Sequence, residues 1–192
     1  TEARRFIKEI GYPVVAKPDS GVGALDTFRL ENDKDLQEFF ARKPAEDYII
    51  EGFVQGVIHS FDGLTDKNGK PIFFTSHVFS QGIMETVQKK LHLSYFSQKK
   101  IPTALQKAGI ACLETFNIKE RFFHIEFFYT KENEFVGLEV NMRPPGGFTT
   151  DMFNYACNIN IYRIWAGLLV KEESNPDYAR KFFCGYASRR EN

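Results

Sequence analysis

The chain has 192 residues, 43% of them hydrophobic, which is enough to bury one large core or the cores of two small lobes. Its 25 basic and 25 acidic residues give a formal charge of zero, so the chain has no bulk attraction to nucleic acid or to an anionic membrane. The three cysteines are widely spaced and no apolar run reaches the roughly 18 residues of a membrane span, so we expect a cytoplasmic protein without a disulfide framework or zinc site.

The first predicted elements place a lysine beside a glycine-rich loop. A helix over residues 3–10 is followed by Gly11, which is suited to end it, and a buried strand over residues 11–18 then carries Lys17. Residues 19–24 form a loop of small residues, and residues 25–30 are predicted to return as a strand. Glycine N–H groups can converge on an anion and a neighbouring lysine adds charge, although most loops of this kind are only turns.

The middle of the chain predicts one more helix, a strand and a hairpin. Asn32 is suited to cap a helix that stops before Pro44, and residues 48–56 are predicted to form a buried strand. Asn68-Gly69 predicts a hairpin between residues 57–65 and 71–81. Residues 82–100 show no clean period, and we expect a short helix at 84–90 and a loop or edge segment at 93–97.

Three helices are predicted after residue 100. Apolar residues at helical spacing predict a helix from Pro102 to Phe116, and two further helices are predicted over residues 149–157 and 161–170. Trp165 is expected to lie in the core of the last one. The polar carboxyl end either frays or forms one more strand around residues 182–187.

Two alternating apolar runs joined by a polar break predict a hairpin over residues 124–143. If its turn centres on Glu132 and Asn133, the opposed pairs are Thr130/Phe135, Phe128/Gly137, Glu126/Glu139 and His124/Asn141. Glu126, Glu139, His124 and Asn141 then share one face. The residues expected on the other, core-facing side are Phe123, Ile125, Phe127, Val136, Leu138 and Val140.

The predicted opposition of Glu126 and Glu139 indicates a bound cation. Like charges about 5 Å apart at Cβ repel each other, and two carboxylates with an amide oxygen suit Mg²⁺ or Mn²⁺, which usually take phosphates as further ligands. The alternative is a solvated acidic face on an exposed hairpin. His124 is either a group at the rim of the metal site or an ordinary strand histidine.

These motifs together resemble the ATP-grasp superfamily from residue 11 to about residue 170. The resemblance is carried by the strand with Lys17, the loop 20–24, the strand 48–54 and the cluster Glu126…Glu139-x-Asn141-x-Arg143. Residues 60–64 and 76–82 look like the branch of carboxylate–amine ligases and carbamoyl-phosphate-synthase-like or biotin-carboxylase-like proteins. The resemblance implies an α+β ATP-grasp fold with antiparallel sheets and packed helices in two lobes, residues 1–55 and 56–192, with ATP between them.

The resemblance also implies an activity and a set of site residues. Such enzymes use ATP and Mg²⁺ (or Mn²⁺) to convert a small-molecule carboxylate to an acyl phosphate, which an amine then attacks. The implied residues are Lys17 on the nucleotide phosphate, Ser20, Gly21 and Gly23 over the phosphates, Glu51 and the backbone of Phe53 and Val54 at adenine, Glu126, Glu139 and Asn141 on the metal, and Arg143 on the transferring phosphoryl group.

The sequence departs from the family pattern at two places. A further lysine and an amino-terminal domain that usually precede the Lys17 strand are missing, so we expect the domain to be a partner and the isolated chain not to turn over. Where many relatives place a ribose-binding acid, this chain has Val57-Ile58-His59. The alternatives are a non-catalytic ATP-binding regulatory module and an α+β domain that binds nothing.

Overall fold

The computed structural model describes residues 2–20, 26–80, 92–170 and 176–189, which form an α+β protein with antiparallel sheets, as the sequence predicts. The described helices are α1 (Glu2–Ile10), α2 (Asp33–Arg42), α3 (Thr103–Thr115), α4 (Thr149–Cys157) and α5 (Ile161–Leu169). The strands are β1 (Val14–Pro18), β2 (Phe28–Leu30), β3 (Tyr48–Gly52), β4 (Val57–Thr65), β5 (Pro71–Thr75), β6 (His77–Phe79), β7 (Leu93–Ser97), β8 (Phe122–Tyr129), β9 (Phe135–Asn141) and β10 (Gly185–Ser188). The helix expected at 84–90 lies outside the described residues.

The described chain divides into two compact units, the first ending at Gln55 and the second beginning at Gly56. In the first unit, β1 is the middle strand of a three-stranded antiparallel sheet, β2-β1-β3. Helices α1 and α2 contribute Ile7, Leu36 and Phe39 to the core that this sheet buries. Asn32 caps α2 as predicted, because its side-chain oxygen accepts hydrogen bonds from the backbone of Lys34 and Asp35.

The second unit is built on a seven-stranded antiparallel sheet with the order β10-β7-β6-β4-β8-β9, and β5 also pairs with β4. The Asn68-Gly69 hairpin is confirmed by the pairing of β4 with β5, and Gly69 has the positive φ of +85° that such a turn needs. The strand predicted over 71–81 is interrupted at Ser76, where the chain leaves β5 and enters β6.

Residues 93–97 differ from their predicted position. They were expected to form a loop or an edge, but β7 lies inside the sheet, between β6 and β10. The strand suggested for the carboxyl end is present as β10 and starts at Gly185.

Helices cover both faces of the large sheet. On the face that we call the α3 face, Leu105 and Leu113 of α3 pack with strand residues of β4 and β8, among them Phe61 and Ile125. On the opposite face, the α4 face, helices α4 and α5 pack on Leu64, Phe73 and Phe122. Such two-sided cover explains why the central strands are so rich in phenylalanine.

Trp165 differs from its predicted role as a core residue. It is 36% exposed and lies against Phe122, with 5.4 Å between the ring centroids, so α5 buries Ile161 and Leu168 instead. None of the helices in the described ranges is both long and apolar enough to cross a membrane.

Candidate functional site

The strand pair β8–β9 brings the two predicted acidic ligands together. Glu126 lies opposite Glu139, and His124 lies opposite Asn141, as the alternation of the sequence predicts. The α4 face carries this quartet, since Glu126 and Phe128 share a face and Phe128 packs with residues of that side.

Nearer the turn, the predicted pairing is wrong by one residue. Thr130/Phe135 and Phe128/Gly137 are not partners, because Tyr129 pairs with Phe135 and Phe127 with Gly137. The loop has an odd number of residues and places Asn133 in the left-handed region, at a φ of +63°.

A register shift between Glu126 and Phe127 restores the predicted pairing towards the open end of the hairpin. The shift also corrects the predicted core face. Leu138 packs with the α4-face cluster around Ile58 and Phe79, and Phe135, not Val136, packs with the α3-face cluster.

The two opposed glutamates differ in environment. Glu126 is only 3% exposed, and its Oε1 atom is buried without a hydrogen-bond partner. Glu139 is exposed, and its Oε1 atom accepts a hydrogen bond of 2.7 Å from Nδ2 of Asn141. A buried carboxylate directly opposite a second carboxylate is costly unless a cation lies between them, so the residues present fit a divalent metal ion.

The protein side chains alone offer few ligands for a metal ion. In the described part of the chain, no three His, Cys, Asp or Glu side chains are grouped so that they could hold a metal ion. A metal at Glu126 and Glu139 would therefore depend on the Asn141 amide and on oxygens that a bound ligand brings.

Next to this pair, Asp62 of β4 forms the centre of a buried polar network. Its Oδ1 atom lies 2.5 Å from Nδ1 of His124, and its Oδ2 atom lies 2.8 Å from Nδ1 of His77. Ser60 also donates its hydroxyl proton to Asp62. Nε2 of His124 lies 3.3 Å from Oε1 of Glu126, so the network reaches the metal-ligand candidate.

The network shifts the ionisation of both central groups. Burial alone would raise the pKa of Asp62, but His124 and then His77 outweigh it and hold the pKa of this carboxyl well below its usual range. Burial alone would lower the pKa of His124, but Asp62 and then Glu126 outweigh it and raise the pKa of His124 to about 10. Asp62 and His124 are therefore a buried ion pair at neutral pH.

His59 does not belong to this network. It pairs with Phe127 on the α3 face, where its ring lies against those of Tyr129 and Phe135. Burial lowers the pKa of His59, and its Nδ1 atom is 3.3 Å from the side-chain oxygen of Gln98. These contacts make His59 a buried packing residue of the sheet.

Arg143 follows β9 and is exposed, with its Nη1 atom donating to the carbonyl of Pro144 at 3.0 Å. The loop after it is tied down at its far end. Thr149 donates to the carbonyl of Gly146 at 2.8 Å, and the Thr149 hydroxyl is 2.9 Å from that of Tyr95. The guanidinium is thus exposed on a loop that is anchored to the sheet.

In the first unit, two of the predicted nucleotide-binding residues contact each other. Nζ of Lys17 lies 2.7 Å from Oε2 of Glu51, across the antiparallel pair β1–β3. Ser20 is exposed, whereas Gly21 and Gly23 lie outside the described residues.

The predicted adenine-contacting segment directly follows β3. The backbone N–H of Phe53 donates to the carbonyl of Pro13 at 3.1 Å, and the guanidinium of Arg29 lies 4.0 Å from the centre of the Phe53 ring. Val54 is the next residue and is partly buried. Because its N–H is already engaged, Phe53 would have to offer its carbonyl to a ligand.

Sequence reasoning missed Asp62, His77 and Ser60. The signal that could have found them is Asp62 itself, a charged residue in the middle of a predicted strand, which needs a partner when it is buried. The partners were not predictable from spacing, because His124 is 62 positions away from Asp62 in the chain.

Comparison with known proteins gives one family and one fold. A family model described as ATP-grasp domain matches residues 10–151. A search of curated proteins finds no match.

Several solved structures share the fold. The biotin carboxylase domain of 2-oxoglutarate carboxylase from Hydrogenobacter thermophilus, in complex with MgADP, ADP and bicarbonate, has a TM-score of 0.70 at 19% identity, over 96% of this chain and 43% of that chain. L-amino acid ligase from Bacillus licheniformis has a TM-score of 0.70 at 18% identity, over 93% of this chain and 46% of the ligase chain. N5-carboxyaminoimidazole synthetase from Staphylococcus aureus, complexed with ADP, has a TM-score of 0.69 at 18% identity, over 91% of this chain and 45% of the synthetase chain. This chain thus spans less than half the length of each.

Proposed function

Because the chain belongs to the ATP-grasp family, we propose that it is the ATP-grasp portion of an ATP- and Mg²⁺-dependent ligase that activates a carboxylate for attack by an amine. The family and the fold were predicted from the sequence motifs, and both are confirmed. The MgADP bound to the matched biotin carboxylase domain supports the proposed cofactors.

One observation carries the proposal, namely the burial of Glu126 directly opposite the carboxylate of Glu139. A solvated acidic face would not bury Glu126, and His124, whose Nε2 atom lies 3.3 Å from Oε1 of Glu126, also faces Asp62 and so does not balance both glutamates. A metal ion that is itself bound to phosphate oxygens satisfies both carboxylates.

In the proposed reaction, Glu126, Glu139 and Asn141 would hold Mg²⁺, and Arg143 would contact the transferring phosphoryl group or the acyl-phosphate oxygens. The metal would supply neutralisation of the phosphate charge. Arg143 suits its role because its guanidinium is exposed and always charged, so it can follow the charge that moves to the acceptor carboxylate.

For the nucleotide, we propose that Lys17 exchanges Glu51 for a phosphate oxygen, which leaves Glu51 free to accept a hydrogen bond from adenine. The existing 2.7 Å contact supports this, because both side chains are partly exposed and such a pair costs little to separate. The remaining proposed contacts are Ser20, Gly21 and Gly23 over the phosphates, and the backbone of Phe53 and Val54 at the base.

The proposal is tested by ADP release with Mg²⁺ across a panel of small carboxylates and amines. We expect Glu139→Gln to abolish substrate-dependent ADP release while the protein stays folded. Glu134→Gln is the matched control, since Glu134 is an exposed glutamate of the same hairpin, next to its turn, and should leave the rate unchanged. Full ADP release by Glu139→Gln would contradict the assigned role.

The same assay separates the ligase from the alternative of a non-catalytic module. It is run on this chain and on any longer protein that contains it, because these 192 residues span less than half of the matched chains. We expect the chain alone not to turn over. ATP binding without ADP release in the longer protein as well would favour a regulatory ATP-binding module.

A further inference from the structure

The polar residues of β4 and β8 form a connected patch on the α4 face. Asp62 lies opposite His124, and Ser60 lies opposite Glu126. Positions two apart on a strand face the same side, so the four side chains form a square in the middle of the sheet. This square places a second acid, Asp62, one pair away from the metal-ligand candidate Glu126.

Asp62 is fixed within this square. It has no exposed surface, so its carboxylate cannot exchange a protein partner for water. Its Oδ2 atom is occupied by His77 and Ser60, and the Ser60 hydroxyl also accepts a hydrogen bond of 3.2 Å from the backbone of His77. The remaining oxygen, Oδ1, faces His124.

The fixed carboxylate in turn fixes the imidazole of His124. Because Oδ1 of Asp62 is an acceptor, Nδ1 of His124 carries the proton, and this 2.5 Å contact sets the position of the rigid ring. The ring then presents Nε2 to Oε1 of Glu126, 3.3 Å away. The imidazole therefore connects the two carboxylates, with one ring nitrogen towards each.

Glu139 has no comparable support. It is exposed, and its described side-chain partner is the neighbouring Asn141 of the same strand. One member of the acidic pair is thus held from the interior of the sheet, and the other can adjust to its ligand.

We infer that Asp62 and His124 are positioning residues that hold the Glu126 carboxylate ready for the metal ion, with Asp62 acting through the imidazole. The inference rests on the proposed function, because it assigns a purpose to the support of Glu126 within that metal site. Glu126 is then the fixed ligand and Glu139 the adjustable one, as the difference in their burial requires.

The test is a double-mutant cycle on Mn²⁺ binding in the presence of saturating ADP, followed by the electron paramagnetic resonance signal of free Mn²⁺. His124→Asn keeps an amide that can donate to Asp62 but leaves no group facing Glu126. We expect it to weaken Mn²⁺ binding by about tenfold or more, the range found when a group behind a metal ligand is removed. His59→Asn is the matched control, a buried histidine of β4 on the α3 face, and should leave Mn²⁺ binding unchanged.

The cycle separates positioning from a general structural role. In a Glu126→Gln background His124 has no ligand to position, so His124→Asn should weaken Mn²⁺ binding less than about twofold further. In a Glu139→Gln background the tenfold loss should remain. Equal losses in both backgrounds, or no loss in the single variant, would overturn the inference.

Two further outcomes are distinguishable. If the wild-type chain with ADP binds no Mn²⁺, the proposed metal site itself fails, and the inference fails with it. If circular dichroism shows that His124→Asn is unfolded at the assay temperature, the cycle is run with His124→Gln, which cannot donate to Asp62 and face Glu126 at once and should show the same dependence on Glu126.

Discussion

Replacing Asp62 with asparagine should be among the most destabilising single changes in the second unit. The carboxylate is fully buried and faces three donors, the Nδ1 atoms of His124 and His77 and the hydroxyl of Ser60. Asparagine keeps the shape but loses the charge, and its NH₂ group must face at least one of those donors. The substitution therefore removes an ion pair and forces at least one of these partners to change its proton position or lose its hydrogen bond.

The magnitude follows from the loss of one partner of a buried ion pair. Removing such a partner typically costs about 3 to 5 kcal/mol, because the remaining charge stays buried. Ser60→Ala provides the comparison, since it removes the hydrogen bond to the charged Asp62 and the one accepted from the backbone of His77 but no charge, and should cost about 1.5 to 3 kcal/mol. A folded domain is stable by about 5 to 15 kcal/mol, so Asp62→Asn should bring the protein close to unfolding.

The measurement is urea unfolding followed by circular dichroism at pH 7 with a metal chelator present. Asp62→Asn should lower the unfolding free energy clearly more than Ser60→Ala does. A loss below about 1 kcal/mol, or one no larger than that of Ser60→Ala, would refute the claim that Asp62 is a buried charge stabilised by the two histidines.

Two further predictions concern packing and thiol chemistry. Gly109→Ala should destabilise the protein by about 1 to 3 kcal/mol in urea unfolding, because the added Cβ would lie 2.2 Å from Cδ1 of Phe61. The control Gly137→Ala should have little effect, because no atom lies within 4 Å of its added Cβ. Equal effects of the two substitutions would contradict the close packing of α3. Burial raises the pKa of the Cys157 thiol to about 11, so at pH 8 Cys157 should react with a thiol reagent much more slowly than the partly exposed Cys112. Mass spectrometry of the labelled native protein measures the labelling rates of Cys157 and Cys112, and rapid modification of Cys157 would contradict its burial.

The functional end of the β8–β9 hairpin was predicted correctly, since an assumed turn at Glu132 and Asn133 together with period-two alternation places Glu126 opposite Glu139. The turn end was not, because the loop length was assumed to be even. The odd loop moves the pairing by one residue, and the irregularity beside Glu126 moves it back. The effects of the odd loop and of the irregularity cancel at the acidic pair, so the pairing predicted there is correct. The predicted assignment of Leu138 and Val136 to the core face is wrong.

The support behind the acidic pair was beyond a sequence argument. Asp62 could be recognised as a buried charge in need of a partner, but its partners His77 and His124 come from β6 and β8. Choosing them requires the register between strands that are distant in the chain, and periodicity fixes which face a residue takes but not its neighbour across the sheet. For the same reason, the sequence did not predict that β7 is an internal strand of the sheet.

In the first unit, the sequence identified Lys17 and Glu51 separately as candidates for nucleotide contacts. The pairing of β1 with β3 shows that these two side chains meet each other. Predicting this contact would have required the β1–β3 register, which no turn signal specifies.

The most direct test of the central claim, that the hairpin carboxylates hold the metal of a bound nucleotide, is a calorimetric titration of ADP into the chain with Mg²⁺ and with EDTA. We predict that Mg²⁺ tightens ADP binding by about tenfold or more, a typical coupling between two ligands. The double variant Glu126→Gln, Glu139→Gln should lose this dependence on Mg²⁺. Equal ADP affinity with and without Mg²⁺ in the wild type, or a dependence that survives in the double variant, would contradict the account.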